Sequence, residues 1–118
     1  MVNLDFFDEI YLFRKYVDFR KSINGLAAIV EGEMNLSLFN RYLFIFCNRK
    51  RDKLKSLYWD RTGFALWYKR LEQDHFSWPF HYSEDRIMLD KEKVDLLLKG
   101  FDIWNYRPHE TLSYEFYN

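Results

Sequence analysis

The chain has little cysteine, proline or glycine, and it carries no net charge. Among its 118 residues are one cysteine, two prolines and four glycines, and 18 basic residues balance 18 acidic ones. A single thiol cannot form a disulfide within the chain, which is typical of a protein from a reducing compartment. So few prolines and glycines exclude collagen-like and linker compositions. We therefore expect a globular, cytoplasmic protein in which Cys47 is a small buried side chain.

The sequence has no long apolar run, and its first residues do not fit the pattern expected of a signal peptide. No stretch approaches the roughly 20 apolar residues of a membrane-spanning helix. The first residues include Asp5, Asp8 and Glu9, whereas a signal peptide begins with basic residues and continues into a longer apolar segment. The sequence therefore predicts that no membrane is involved.

Aromatic side chains, in contrast, are abundant. Phenylalanine, tyrosine and tryptophan make up 21% of the residues, and hydrophobic residues as a whole make up 48%. Each ring can bury about 150–250 Å², and a disordered chain would contain far fewer of them. The sequence therefore predicts one packed core that is built largely from rings.

Short apolar runs between turn signals predict several strands. We predict strands at Glu9–Phe13, Tyr42–Cys47, Leu54–Trp59, Phe64–Leu71 and Arg86–Leu89. The sequence DRTG at Asp60–Gly63 is typical of a tight turn, so the third and fourth strands should form an antiparallel hairpin. Gly63 is expected to provide a positive φ in that turn.

Two segments change to the period of an amphipathic helix. The first lies within Asp18–Met34 and the second follows a capping residue, Asp90. The apolar residues expected to face the core are Ile23, Leu26 and Val30 in the first helix and Val94, Leu97, Leu98 and Phe101 in the second.

Together these elements predict an α+β fold. Its sheet should be an antiparallel meander of about three to five strands, accompanied by the two amphipathic helices. We predict a single compact domain over residues 1–102, followed by a Tyr-rich tail at residues 103–118.

Positive charge gathers in the segment NRKRDKLKSLYWDRTGFALWYKRLE, Asn48–Glu72, where it alternates with aromatic residues. Its basic residues are Arg49, Lys50, Arg51, Lys53, Lys55, Arg61, Lys69 and Arg70. Cationic groups bind phosphates and exposed rings stack on unpaired bases, so the pattern favours nucleic-acid binding. A solvated sheet face above a core of rings explains the same pattern. Because side chains alternate along a strand, only one of Lys69 and Arg70 should contribute to one surface.

No pattern in the sequence argues for catalysis. The residues that could form a two-metal nuclease site are Asp18, Asp60, Glu72 and Asp74. Their spacing matches no established motif, and the pair His75 and His81 lacks the spacing of a zinc site. Glycine-rich phosphate loops and the motifs GxSxG and HExxH are missing from the sequence. We therefore predict a protein that is not an enzyme and that has no metal or cofactor.

Five segments resemble one protein family in their order and spacing. They are VDFRKSINGLA at 17–27, LFIF at 43–46, the basic segment at 48–72, FSWP at 76–79 and LLLKGFD at 96–102. From about Ile10 to Asp102 the chain resembles the small TnpB-type accessory proteins encoded by the second open reading frame of insertion-sequence family sixty-six. The stretch YWDRTGFALWYKRLE is the most specific part of this resemblance.

The resemblance implies a role in bacterial DNA transposition. In such elements a separate, larger protein carries the transposase chemistry, so the resemblance supplies no catalytic residues. Its characteristic positions include Arg20 and Lys21, which join the eight basic residues above as candidate nucleic-acid contacts.

Three hypotheses follow from the sequence and the resemblance. In the first, a non-catalytic accessory protein contacts DNA at the element ends through its basic hairpin region. In the second, a protein-interaction module docks on the element's transposase through exposed aromatic residues, which include those of the tail. In the third, a nuclease uses Asp18, Asp60 and Asp74.

Overall fold

A computed structural model describes residues 3–105 of the chain. The helices are a short 3-10 helix at Leu4–Phe6, α1 at Ile23–Gly32 and α2 at Lys91–Leu98. The strands are β1 at Glu9–Phe13, β2 at Tyr42–Cys47, β3 at Lys53–Asp60, β4 at Gly63–Arg70 and β5 at Arg86–Leu89. They form one sheet in the order β4-β3-β2-β1-β5, and the predicted α+β fold is confirmed.

The sheet is largely antiparallel but contains one parallel pair. β1 runs parallel to β2, with Glu9 opposite Tyr42 and Leu12 opposite Ile45, whereas the other three pairs are antiparallel. A meander was expected, with hairpins between neighbouring strands. The difference arises because the connection that contains α1 carries the chain back across the sheet, as parallel pairing requires. The carboxyl ends of β1 and β2 therefore lie at the same edge.

Side chains alternate between two core layers, one on each face of the sheet. In β2, Leu43, Ile45 and Cys47 belong to the first layer, and Phe44 and Phe46 belong to the second. All five are fully buried. This uninterrupted burial explains why β2 reads as a continuous apolar run, since both faces of a central strand are covered.

Each helix covers one of these layers. Leu26 and Val30 of α1 pack in the second layer, and Val94 and Leu97 of α2 pack in the first. As predicted, Asp90 caps α2: its carboxylate accepts a hydrogen bond of 2.8 Å from the backbone N–H of Lys93. Ile23 and Leu98 are only half-buried.

Two predictions about single residues are wrong. Phe101 was expected in the core but is 58% exposed. The reason is that α2 ends at Leu98, and Gly100 with a φ of 94° turns the chain before Phe101 is reached. In the β3–β4 turn the positive φ, 57°, belongs to Arg61 rather than to Gly63.

A segment without regular structure crosses the edge where β1 and β2 end. We call residues 76–82 the edge strap. The backbone N–H of Phe76 donates to the carbonyl of Arg51 at 2.6 Å, and the Trp78 indole N–H donates to the carbonyl of Phe13 at 3.0 Å. Both side chains are buried in the first layer. The edge strap is therefore anchored to the end of β1 and to the turn that follows β2.

The last described residues still contact the domain. Ile103 and Trp104 pack against the first core layer, and the Trp104 indole N–H donates to the carbonyl of Ser77 at 2.8 Å. The remainder of the predicted Tyr-rich tail, from residue 106 onward, lies outside the described residues. Within residues 3–105, no helix combines the length and apolar composition that crossing a bilayer requires.

Replacing Phe76 with alanine should destabilise the fold by about 3–5 kcal/mol, because a fully buried ring is removed and a cavity remains. Urea denaturation followed by circular dichroism measures the change in the free energy of unfolding. The matched control is Met88→Ala in the exposed position of β5, which should cost no more than about 0.5 kcal/mol. Equal losses for the two variants would contradict the packing described for the edge strap.

Candidate nucleic-acid interface

Two basic segments lie side by side at the carboxyl ends of β1 and β2. Residues 14–22 follow β1, residues 48–53 follow β2, and the N–H of Val17 joins them by donating to the carbonyl of Cys47 at 2.9 Å. Together the segments contain eight basic and two acidic residues. We call residues 14–22 and 48–53 the basic edge.

The formal neutrality of the chain hides this separation of charge. Outside the basic edge the sequence has ten basic and sixteen acidic residues. The opposite edge of the sheet, where β1 begins and β5 ends, carries Asp5, Asp8, Glu9, Asp90 and Glu92, of which Asp5 pairs with Lys91 and Asp8 with Arg41. We call these five residues the acidic edge. Within residues 3–105, positive charge is therefore concentrated at one end of the strands and unpaired carboxylates at the other.

An open groove of about 590 Å³ separates the two segments of the basic edge. The residues that line it are Tyr16, Val17, Asp18, Phe19, Asn48, Arg49, Lys50 and Lys53. Arg49 and Lys50 are exposed to solvent, and neither has a salt-bridge partner among the described residues. Their charges are thus available to a ligand in the groove.

Asn48 holds the turn that carries these cations in one conformation. Its side-chain oxygen accepts hydrogen bonds from the N–H groups of Asp52 at 3.1 Å and Lys53 at 3.0 Å. Its amide also donates to the Asp52 carboxylate at 2.7 Å, which lowers the pKa of that group. Arg51 adopts the left-handed conformation, with a φ of 61°. The turn is therefore organised before any ligand binds.

Arg20 and Asp18 form an ion pair at the mouth of the groove. The guanidinium donates to both carboxylate oxygens, with a shortest distance of 2.6 Å. These hydrogen bonds lower the pKa of Asp18 to about 2. The Arg20 side chain nevertheless remains 91% exposed, so its outer surface faces solvent beside Lys21.

Two of the predicted contacts have structural roles. The Lys55 ammonium donates to the carbonyls of Phe19 at 2.9 Å and Lys21 at 3.1 Å, and it lies 4.9 Å from the centre of the Phe19 ring. Burial lowers its pKa. Lys69 donates to the carbonyl of Leu98 at 2.8 Å and so caps the last turn of α2. Sequence reasoning did not reveal either role.

The other predicted residues divide between the two ends of the β3–β4 hairpin. Arg70 lies opposite Lys53 at the basic edge and forms a 2.8 Å ion pair with Glu72. Arg61 lies in the turn at the other end, roughly 25 Å away along the strand. The structure therefore brings together Arg20, Lys21, Arg49, Lys50, Arg51 and Lys53, with Arg70 beside them.

Sequence reasoning missed two basic residues at the same edge, Arg14 and Lys15. Arg14 bonds to Asp85 at 2.7 Å and to the carbonyl of Phe80 at 3.0 Å, and Lys15 lies 3.1 Å from Glu33. They directly follow β1, and only the parallel pairing with β2 shows that this position meets the basic turn. The pattern of the sequence contains no signal for that pairing.

The carboxylates considered for a nuclease do not converge. Asp18 is paired with Arg20 at the basic edge, Asp60 lies at the far end of the hairpin, and Glu72 is paired with Arg70. Within residues 3–105, no group of three His, Cys, Asp or Glu side chains is arranged to hold a metal ion. Cys47 is fully buried, and burial raises the pKa of its thiol.

Comparison of the sequence with known proteins identifies a family. A family model described as IS66 Orf2 like protein matches residues 8–108. The chain belongs to this family. It is 33% identical over 86 residues, 73% of each chain, to the uncharacterized protein y4jC of Sinorhizobium fredii (strain NBRC 101917 / NGR234). It is 29% identical over 102 residues, 86% of each chain, to the uncharacterized protein y4hO of the same organism. No solved structure matches the chain.

Membership in the IS66 Orf2 like family confirms the resemblance found in the sequence. It identifies the chain as an accessory protein of an insertion sequence. The two relatives are uncharacterized, so the chemistry of the basic edge must be argued from its own residues.

Replacing Lys55 with methionine should lower the free energy of unfolding of this IS66 Orf2 like protein by about 1–2 kcal/mol. The apolar stem is retained, but the carbonyls of Phe19 and Lys21 lose a charged donor. Urea denaturation measures the loss, and Lys50→Met at the exposed turn is the control, with a change of about 0.5 kcal/mol or less. If Lys55→Met were as stable as the control, the ammonium would not stabilise the 14–22 segment.

The pKa of Asp18 should respond to the loss of Arg20. Carbon-detected NMR titration should give a pKa of about 2 for the native protein and one near the ordinary value of about 3.9 for Arg20→Gln. Because the folded-state pKa is the lower one, this pair stabilises the fold above about pH 4, and its contribution is lost as the pH falls toward 2. An unchanged pKa in Arg20→Gln would contradict the ion pair, and Lys21→Gln, which acts only through its charge, should cause a smaller shift.

Proposed function

We propose that the chain is a non-catalytic accessory protein that supports transposition in the bacterial cytoplasm by contacting DNA, notably the ends of the element, through its basic edge. The observation that carries this proposal is the segregation of charge. A neutral protein places eight basic and two acidic residues in two segments that the β1–β2 pairing holds together. A polyanion is the ligand that such an edge attracts.

The groove supports the proposal because its cations are exposed and their backbone is already fixed. Arg49 and Lys50 stand on the turn that Asn48 organises, and Lys53 begins the adjoining strand. Contacts with about four phosphates would make the logarithm of affinity fall with the logarithm of salt concentration at a slope of about −3.6 on duplex DNA.

The acidic edge supports a defined orientation on DNA. Its carboxylates lie at the opposite ends of the same strands, and Glu9, Asp90 and Glu92 have no ion-pair partner among residues 3–105, so a phosphate backbone gains less by approaching from that side. The neutral total also limits non-specific attraction at long range. We infer that binding depends on contact with the basic edge rather than on the overall charge of the protein.

Replacing Arg49 and Lys50 together with alanine should flatten the salt slope by roughly two units, because each lost phosphate contact removes about 0.9. Fluorescence anisotropy with labelled duplex DNA, titrated over a range of salt concentrations, measures the slope. The matched control is Lys91→Ala with Lys93→Ala beside the acidic edge, which removes the same charge and should leave the slope unchanged.

Two outcomes would overturn the DNA proposal. One is a folded native protein that fails to bind DNA even at low salt. The other is an equal effect of the two double variants, since that would show a response to net charge alone. Circular dichroism of all the proteins establishes that they are folded.

Exposed apolar side chains on β4, the outermost strand of the sheet, favour a second candidate function, which is docking on the element's transposase. Leu66 and Tyr68 of β4 are exposed, and the neighbouring Phe39 packs its exposed ring 5.0 Å from that of Trp59. Helix α1 packs over β1 to β3, and among residues 3–105 no element covers Leu66 and Tyr68. Failure of the purified, folded protein to bind DNA would favour this second function.

A further inference from the structure

A row of aromatic rings continues from the basic edge along the edge strap. The ring centre of Tyr16 lies 5.4 Å from that of Phe80, and Phe80 lies 5.9 Å from His81. The row continues from His81 to Tyr82 at 5.1 Å and from Tyr82 to Trp104 at 5.5 Å. We call these five residues the aromatic row.

The middle of the aromatic row is open to solvent. Phe80 is 52% exposed and Tyr82 is 38% exposed, whereas five phenylalanines elsewhere in the protein are buried. From Phe80 to Trp104, neighbouring rings meet at 74–86°. Each edge-to-face contact occupies part of one ring face, and the Tyr16 ring lies against Phe80 at an interplanar angle of 30°. The surface that a planar ligand can reach is therefore the exposed part of Phe80 and Tyr82.

Hydrogen bonds fix the backbone beneath these rings. The Arg14 guanidinium donates to the carbonyl of Phe80 at 3.0 Å, while Asp85 holds the other guanidinium nitrogen at 2.7 Å. The N–H of Tyr82 donates to the carbonyl of Pro79 at 2.9 Å. A ligand that stacks on the rings therefore does not have to order the edge strap first.

Tyr16 connects the aromatic row to the basic edge. Its ring lines the groove together with Arg49 and Lys50, and the same ring packs against Phe80. Burial raises the pKa of its hydroxyl, while the charges of Arg51 and Arg49 act in the opposite direction, as nearby cations must. Exposed cations and exposed rings are thus adjacent on one surface.

We propose that the basic edge and the aromatic row together bind single-stranded nucleic acid, with phosphates in the groove and unpaired bases stacked on Phe80 and Tyr82. This inference rests on the proposed function and adds a strand preference to it. Bases of a duplex are already stacked on their neighbours, whereas unpaired bases gain from stacking on rings. Stacking requires no particular base, so binding should depend little on sequence.

The charge around the aromatic row favours a nucleic acid over a protein as its ligand. The exposed rings of the aromatic row adjoin the basic edge, whose two segments contain eight basic and two acidic residues. Asp85 and Glu33 pair with Arg14 and Lys15, but the exposed Arg49 and Lys50 have no ion-pair partner among residues 3–105, so a polyanion complements this surface. A separate exposed aromatic surface, around Phe39 and Tyr68, lies on β4 and the loop before β2. Its Phe39 therefore provides an exposed ring away from the basic edge for use as a control.

The experiment compares labelled oligothymidine of about twelve nucleotides, within the usual range of site sizes, with a duplex of the same length. Fluorescence anisotropy at one salt concentration should show tighter binding of the single strand. In Phe80→Ala with Tyr82→Ala, single-strand affinity should fall by roughly ten- to a hundredfold, while duplex affinity and the salt slope stay close to native. Phe39→Ala, which removes an exposed ring elsewhere, should leave single-strand affinity unchanged.

A second variant separates lost stacking from local distortion. Phe80→Tyr with Tyr82→Phe keeps both rings, so it should retain native single-strand affinity. Equal affinity of the double alanine variant and the native protein for oligothymidine would overturn the inference. So would an equal loss on duplex and single strand, because stacking on unpaired bases predicts a selective effect.

The result also distinguishes failure of this inference from failure of the proposed function. Duplex binding that depends on Arg49 and Lys50, without any effect of Phe80 and Tyr82, would leave the proposed function intact and contradict the single-strand preference. A folded protein that binds neither nucleic acid at low salt would overturn both and favour docking on a protein.

Discussion

The parallel pairing of β1 with β2 is the constraint on which the rest of the structure depends. It places the ends of both strands at one edge, where the backbone of Val17 bonds to that of Cys47. The basic turn after β2 can then face residues 14–22, and the edge strap can be anchored across both ends. If β1 ran antiparallel to β2, these segments would lie at opposite edges, and neither the groove nor the approach of Tyr16 to Phe80 would exist.

The cations of this protein divide between folding and ligand binding. Lys55 fastens the 14–22 segment to the sheet and Lys69 caps α2, so both ammonium groups are already engaged by backbone carbonyls. Arg49 and Lys50 instead stand exposed on a turn whose shape is fixed by Asn48. Lys55 therefore positions the segment that carries Arg20 and Lys21, whereas Asn48 positions Arg49 and Lys50. A net charge of zero is compatible with DNA binding because it is the arrangement of charges that matters at contact distance.

Much of the fold follows from local patterns, but the long-range arrangement does not. The apolar run Tyr42–Cys47 predicts a buried strand, and both of its faces are indeed covered. Asp90 is recognisable as a helix cap because it directly precedes a segment with helical periodicity. The pattern of Glu9–Phe13 specifies a strand without specifying its partner or direction, so the parallel pair was not predicted. For the site, sequence composition revealed the basic turn. It could not show that Lys55 is engaged or that Phe80 and Tyr82 lie beside Tyr16, since both depend on contacts between distant segments.

The most direct test of the central claim is an NMR map of backbone amide shifts in labelled protein during titration with oligothymidine. The largest changes are expected at residues 14–21, at 48–53 and at 80–82, because these segments carry the groove and the exposed rings. Residues 3–9 and 88–92 at the acidic edge should change little. Changes centred on β4, or spread evenly over both edges, would contradict the claim that one edge of the sheet is the nucleic-acid interface.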